Sequence, residues 1–288
     1  MRDLRKLMEK QEFASVEDAN AYLQNLLRST GGVIPHPEPE TPLERAEEVA
    51  NAAELASTRA ARAKLARQAL SLSPDCASAL LVLVEDEDHP VKKLALLEQA
   101  VAAGYRAIGP ESFVEYEREG AFWGMIETRP YMRAASQWAE LVWVMGNRRG
   151  AITEFQRLLK LNPGDNQGLR YMLAFCLLEE QTESARATLD GLLAAYPDDA
   201  ACSWDYSRAL LAFQRHGPSP KSNAALKHAI KANRFVPAYL LGDKDLPDEM
   251  PSHIGFGDQS EAVDYVGFAV NAWAQTPGAI AWLSQLRS

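Results

Sequence analysis

The fold of this chain is decided by the stretch from residue 127 to residue 198, which contains RRGAITEFQRLLKLNPG at 148–164 and TESARATLDGLLAAYPD at 182–198. Apolar and small residues of the first segment recur in the second after 34 residues, and each segment ends in a proline turn. The corresponding residues are Ala151 and Ala185, Phe155 and Leu189, Leu158 and Leu192, and Pro163 and Pro197. This pattern predicts two helical hairpins built on one plan.

A 34-residue period with a proline at the turn is that of the tetratricopeptide repeat, in which each hairpin leaves apolar surface that only a neighbouring hairpin covers. The clearest repeats are 132–165 and 166–199. Because roughly three or more such units are needed for a stable stack, we expect diverged repeats on both sides. The predicted fold class is all-α, a right-handed tetratricopeptide-like superhelical repeat with capping helices at its C-terminal end.

The amino-acid sequences of particular segments point to a family more specifically than the 34-residue period does. These segments are ETRPYMR at 127–133, LNPGDNQGLRY at 161–171, VPAYLLG at 236–242 and TPGA at 276–279. Over about residues 123–283 they resemble the suppressor-of-tumorigenicity family and its bacterial tetratricopeptide relatives. The resemblance implies helical repeats and interaction, with no established chemistry. Some members of that family carry membrane-spanning helices ahead of the shared region, and we do not carry that membrane association over to this chain.

We predict three parts in the chain. The first is a small N-terminal helical unit at 1–30, the second a proline-rich linker at 31–41, and the third a tetratricopeptide-like repeat domain at 42–288. The linker begins with Gly31-Gly32 and is rich in proline, which favours a stiff, extended connection over helix or sheet.

Cap signatures and apolar spacing predict where the helices begin. Ser15 followed by Asp18 marks a helix start in the first part, and Thr41-Pro42-Leu43-Glu44 reads as a capping box with proline at the first helical position. The stretch 104–129 lacks a regular pattern, and we expect it to be irregular. Further helices are expected over 59–72, 75–84, 90–103, 199–214, 220–232, 237–241, 258–273 and 278–286.

Composition narrows the class of protein. The 288 residues carry a net charge of −9 and no long basic run, so we expect no nucleic-acid partner. The three cysteines are odd in number and widely spaced, which argues against a disulfide framework and favours a reducing cytoplasm. The N-terminal residues lack a secretion signal, and no segment is apolar for long enough to span a membrane.

Motifs that carry catalysis are missing from the sequence. It contains no glycine-rich phosphate loop, no pair of histidines spaced for a metal on one helix, no Cys-x-x-Cys and no Gly-x-Ser-x-Gly turn. The acidic run 85–88 is interpreted as a solvated loop, because four adjacent carboxylates cannot all turn to one ion. We therefore predict that the protein is not an enzyme and has no catalytic residue, cofactor or metal.

A polar cluster in the central repeats is the best candidate for a binding site. In a tetratricopeptide hairpin the first helix lines the inner, concave surface. The residues predicted to bind a partner on that surface are Arg133, Glu140, Trp143, Asn166, Gln167 and Arg170. The residues predicted to form a structural polar network at the same end of the repeats are Glu127, Arg129, Asn162 and Asp165.

Two interpretations of this cluster stay open. In the structural one, Asn166 caps its helix, Asp165 terminates the turn, and arginines pair with Glu127 or Glu140 to hold successive repeats together. In the binding one, Arg133 and Arg170 donate to the carboxylate or backbone of an extended peptide. We favour the second for Arg170, because no acidic residue lies three or four positions from it.

The predicted function is that of a protein–protein interaction scaffold or adaptor, which binds a peptide or a partner protein on the concave face. The alternative is a small-ligand-binding protein or an enzyme with a pocket between the central repeats and the C-terminal cap. The sequence identifies neither the partner nor the oligomeric state.

Overall fold

A computed structural model describes residues 4, 7, 8, 11–34 and 38–287. Over these residues the regular secondary structure is helical and contains no strand, which confirms the all-α tetratricopeptide-like fold class. Residues 1–3, 5, 6, 9 and 10 of the predicted N-terminal unit lie outside the described residues. So do positions 35–37 of the predicted linker.

The described helices are named in chain order, and a short 3-10 helix at Ile126–Thr128 precedes α7. They are α1 (Val16–Ser29), α2 (Pro42–Glu54), α3 (Arg59–Leu72), α4 (Ala77–Glu85), α5 (Pro90–Ile108), α6 (Pro110–Glu119), α7 (Arg129–Val144), α8 (Arg148–Leu161), α9 (Leu169–Glu180), α10 (Glu183–Ala195), α11 (Cys202–His216), α12 (Pro220–Ala232), α13 (Val236–Leu240), α14 (Gln259–Gln275) and α15 (Ala279–Leu286).

The chain divides into two compact units, Met1–Ala135 and Ser136–Ser288, and the division falls within α7. The predicted linker at 31–41 lies inside the first of these units. A domain boundary at that linker stays a prediction.

In the first unit, α2 packs against α3 and α4, and α4 packs against α5. The α2 helix begins where predicted: Thr41 accepts from the Glu44 amide, the Glu44 side chain accepts from the Thr41 amide, and Pro42 stands at the first helical position. Its packed face consists of small residues, Ala46, Ala50 and Ala53, which are fully buried. Small side chains allow neighbouring helix backbones to approach closely.

The stretch 104–129 is more regular than predicted. It contains the end of α5, the whole of α6 and the 3-10 helix. Gly104 allows α5 to pass close to Tyr131. A Cβ atom at this position would lie 2.9 Å from the Cβ of Tyr131, which is too close for two carbon atoms. The α6 helix packs Phe113 edge-on against the rings of Phe122 and Tyr131, at centroid distances of 4.7 and 5.4 Å.

In the second unit, α9 packs against α8 and α10, and α11 packs against α12. The C-terminal cap consists of α14 and α15. The α14 helix contacts α9, α11 and α13, and the α15 helix contacts α12 and α14. The repeat residues are placed as their spacing predicts: Ala151 and Ala185 are buried on α8 and α10. The larger apolar residues that the period pairs are also buried, namely Phe155, Leu158, Leu189 and Leu192.

Enlarging Ala151 to phenylalanine is expected to destabilise the second unit. Ala151 has no exposed surface, so the added ring must displace packed neighbours and costs on the order of 1–3 kcal/mol. Urea denaturation followed by circular dichroism measures this loss. Ala194 is exposed on α10, and Ala194→Phe serves as the matched control. Equal stability of the two variants would show that Ala151 does not lie at a packed contact.

Candidate functional site

A groove with a volume of about 490 Å³ lies within the first unit. It is bordered by α2, the start of α4, the end of α5, the 3-10 helix and the first turn of α7. Its lining residues are Thr41, Leu43, Glu44, Glu47, Asn51, Glu54, Asp75, Ala77, Ser78, Gly104, Ala107, Ile126, Glu127, Arg129, Pro130 and Arg133. Three predicted residues, Glu127, Arg129 and Arg133, are thus brought together in one groove.

The α2 helix presents a polar stripe to this groove. Glu44, Glu47, Asn51 and Glu54 are spaced by three or four residues, which places them on one side of a helix. The alanines of α2 are offset from this stripe and pack into the core. These four residues are not among the predicted site residues, although their spacing is visible in the sequence.

Hydrogen bonds and ion pairs hold several of the groove side chains. Glu54 lies 3.2 Å from the guanidinium of Arg133, and both side chains are 39% exposed. Glu47 accepts from the Ser78 hydroxyl at 2.7 Å. Asp75 pairs with Arg106 at 2.7 Å.

The charge of the groove is negative. Its lining includes five carboxylates, from Glu44, Glu47, Glu54, Asp75 and Glu127, but only two guanidinium groups. Arg129 donates from Nε to the Trp123 carbonyl at 3.1 Å, and its guanidinium carbon lies 5.2 Å from the centre of the Trp123 ring. Arg129 is therefore held by Trp123 of its own unit, and its place in a structural polar network stays a prediction.

The second unit holds Arg170 in a network of its own. Arg170 donates to Asp199 at 2.6 Å and to Asp165 at 2.9 Å, and its side chain is 19% exposed. Tyr171 lies beside it, donating to Asp199 at 2.9 Å. This geometry favours the structural interpretation of Arg170 over the ligand-donor interpretation. Its carboxylate partners are Asp165 and Asp199, and neither is the Glu127 or Glu140 that the sequence suggested.

Asp165 performs the capping that the structural interpretation of the cluster gave to Asn166. It accepts from the amides of Leu169 at 2.7 Å and Arg170 at 3.0 Å, which begin α9. Burial raises the pKa of the Asp165 carboxyl, while its hydrogen bonds with Arg170 and Leu169 act in the opposite direction. The prediction that Asn166 caps this helix is wrong, because its side chain is exposed and the residue at the cap position is Gly168.

The other predicted residues of the second unit are dispersed. Asn162 is buried at the end of α8, whereas Glu140 is exposed. Trp143 is half-buried, and the guanidinium carbon of Arg148 lies over its ring, 4.6 Å from the centre. Gln167 donates to the Ser136 hydroxyl at 3.4 Å, but its Oε1 is buried and has no donor among the described residues.

A second cavity, of about 470 Å³, lies in the second unit, where the sequence analysis placed the pocket of its alternative function. It is bordered by the start of α10, the end of α11 and the turn between α14 and α15. Its lining residues are Gln181, Arg186, Phe213, Gln214, Gly217, Pro218, Thr276, Pro277, Gly278, Ala281, Trp282 and Gln285.

In the described part of the chain, no three His, Cys, Asp or Glu side chains are grouped so that they would hold a metal ion. Among helices with described residues, none combines the length and apolarity needed to cross a bilayer.

Comparison with known proteins agrees with the repeat architecture. Residues 145–203 match the family model described as tetratricopeptide repeat. The chain is 31% identical over 250 residues to a suppressor of tumorigenicity 7 protein-like of Homo sapiens, an alignment that covers 76% of this chain and 41% of that protein. The Rattus norvegicus protein of the same name is also 31% identical, with 76% of this chain and 42% of the relative covered.

A more distant relative extends the same comparison. The Protein ST7 homolog of Caenorhabditis elegans is 28% identical over 266 residues, covering 77% of this chain and 47% of the relative. The chain thus spans less than half the length of these curated relatives. No solved structure matches it. The chain thus has a tetratricopeptide-like helical-repeat fold, matches the tetratricopeptide repeat model at 145–203, and is similar in sequence to part of the suppressor of tumorigenicity 7-like proteins.

Proposed function

We propose that this chain is a non-catalytic protein-binding module, and that the groove of the first unit holds an extended segment of a partner protein. The observation that carries the proposal is the groove itself, which α2 and α4, the first helices of two successive hairpins, line with polar side chains. Tetratricopeptide hairpins characteristically leave their first helices available for such binding. The relatives' names state no ligand. We therefore infer the kind of partner from the chemistry of the groove.

The partner segment is expected to be basic. Carboxylates outnumber guanidinium groups in the groove, and the whole chain has a net charge of −9. Lysine or arginine side chains of a peptide meet complementary potential here, whereas an acidic peptide is repelled. Between the charges, Leu43, Ile126 and Pro130 provide apolar surface for the peptide's other side chains.

The ion pair between Glu54 and Arg133 can be replaced by an ion pair between Glu54 and a bound partner. Both side chains are more than one third exposed, and a pair of that exposure contributes roughly 0–1 kcal/mol to stability. A basic side chain of the partner can therefore compete for Glu54 at little cost to the fold. In this proposal Arg133 lies at the edge of the groove and limits how far a cationic peptide extends along α2.

Selection from a random peptide library tests the proposal. With the full chain as bait, we expect the recovered peptides to be enriched in lysine and arginine. Their binding should weaken as salt rises from about 0.05 M to 0.15 M, because the Debye length shortens over that range. Recovery of acidic or uncharged peptides, or binding that is insensitive to salt, would contradict an acidic peptide groove.

A further inference from the structure

One stretch of the second unit lacks acidic residues. From residue 206 to residue 242 the sequence contains six lysine and arginine residues but no aspartate or glutamate, although the whole chain has 39 acidic residues and a net charge of −9. The stretch includes most of α11 and the whole of α12. Positive charge is therefore concentrated locally in a protein that is acidic as a whole.

The exposed side of α12 carries a row of lysines. The buried residues of this helix, Ser222, Leu226 and Ala229, recur every three or four positions and form its packed side. The exposed residues recur at the same spacing on the other side, and they include Lys221, Ala224, Lys227, His228 and Lys231. The three lysines of this set are called the α12 row below.

The carboxylates of the second unit do not pair with the α12 row. Two arginines of the same stretch have acidic partners, Arg208 in Asp205 at 3.9 Å and Arg215 in Asp190 at 2.5 Å. His228 also lies 3.5 Å from Asp205. Among the described residues, by contrast, the three lysines of the row form no ion pair. The row is thus open to carboxylates of another molecule.

The positions of these lysines oppose the stability of their own helix. Lys221 lies in the first turn of α12, where the helix dipole disfavours a cation, and that turn contains no acidic residue. Lys227 and Lys231 are four positions apart, a spacing at which like charges on a helix repel. Residues that break a local stability rule are expected mainly at functional sites. The row therefore favours a binding role.

Size and surroundings narrow the kind of partner. The row spans only about 15 Å, because each helical residue adds about 1.5 Å. A nucleic-acid strand extends beyond such a row, and its further phosphates would be repelled by a chain of net charge −9. In α12, which the structure describes throughout, no large apolar side chain is exposed that could enter a membrane. A short acidic protein segment meets both constraints.

We propose that the α12 row binds an acidic helix of a partner protein, whose carboxylates recur every three or four residues along one side. Two helices that lie side by side have the same rise per residue, so the carboxylates of one can meet Lys221, Lys227 and Lys231 together. Ala224 lies among these lysines, and its small side chain allows the partner helix to approach. The site lies in the second unit and does not depend on the groove of the first.

Two alanine-based peptides of identical composition test the proposal on the full chain. Both carry the same hydrocarbon staple, so both are helical. The glutamates of the first peptide lie on one side of its helix, and those of the second are distributed around it. By fluorescence anisotropy in about 0.05 M salt, we expect the one-sided peptide to bind at least about tenfold more tightly, because it brings several carboxylates to the row at once. Equal Kd values, or no binding of either peptide, would overturn the proposal.

Two double variants of equal charge locate the binding. Lys227→Glu/Lys231→Glu reverses the row, and we expect it to weaken binding of the one-sided peptide at least about tenfold. Lys64→Glu/Arg67→Glu is the control, since both residues are exposed on α3 and the net charge changes by the same amount. Equal weakening by the control would indicate general electrostatic attraction and would overturn the proposal. A DNA duplex that binds the row more tightly than the peptide does would also overturn it. The comparison of the two peptides on the wild-type chain does not depend on any variant.

Discussion

Replacing Glu261 with leucine is expected to lower the free energy of unfolding by on the order of 3–5 kcal/mol, one of the two largest effects anticipated for a single substitution in this chain. Glu261 is buried with only 5% of its surface exposed. Its carboxylate accepts from the Cys202 amide at 2.9 Å, the Asn233 side chain at 2.9 Å and the Gly257 amide at 2.8 Å. Leucine leaves the Cys202 and Gly257 amides without this acceptor, and the Asn233 side chain keeps only its hydrogen bond to the Asp258 carbonyl.

The position of these partners explains why the effect is large. They belong to the start of α11, the end of α12 and the turn before α14, so one carboxylate on α14 joins three segments of the second unit. Urea denaturation of the variant measures the loss, with Glu249→Leu as control because Glu249 is exposed. Glu261→Gln keeps one oxygen acceptor and should fall between the two. A Glu261→Leu variant within 1 kcal/mol of the wild type would refute this role.

Replacing Asp165 with alanine is expected to cost about 3 kcal/mol or more, because it removes several interactions together. The two amides that begin α9 lose their acceptor, and Arg170 loses one of its two carboxylates. Asp165 also has a φ of 44°, a left-handed conformation that aspartate and asparagine adopt more readily than alanine.

The isosteric variant Asp165→Asn separates these contributions. Asparagine tolerates the left-handed backbone and keeps one oxygen acceptor, but it cannot form an ion pair with Arg170. We expect it to recover part of the stability lost in Asp165→Ala, as measured by urea denaturation. Alanine and asparagine variants of equal stability would show that neither the cap nor the backbone conformation contributes.

Much of the fold could be predicted because its signals are local. The capping box at Thr41 fixes the start of α2, and a proline at the first position marks the start of α12 at Pro220, in both cases at the residue predicted. A comparable signal for α6 was overlooked. Pro110 stands at its first position and Gly120 follows its end in a left-handed conformation, a typical arrangement at the two ends of a helix.

The site was harder to predict because its partners are distant in sequence. Arg170 pairs with Asp165 and Asp199, which lie outside the three- and four-residue spacing by which a helical ion pair is recognised. Glu54 likewise meets Arg133 from a helix of another hairpin. A repeat period shows which residues share a position, but it does not show which polar side chains meet across helices.

If the groove of the first unit binds a basic peptide, filling the groove with a large side chain should prevent that binding. Asn51 lies on the polar stripe of α2 and is exposed, so Asn51→Trp fills the groove without changing a charge. Ala52 is exposed on the same helix but does not line the groove, which makes Ala52→Trp the matched control.

Fluorescence anisotropy of one labelled basic peptide, selected on the wild-type chain, compares the three proteins at the same salt concentration. We expect Asn51→Trp to raise the Kd at least about tenfold, which corresponds to about 1.4 kcal/mol, while Ala52→Trp binds as the wild type does. Unchanged binding by Asn51→Trp, in a variant whose circular dichroism matches that of the wild type, would show that the peptide does not bind in this groove.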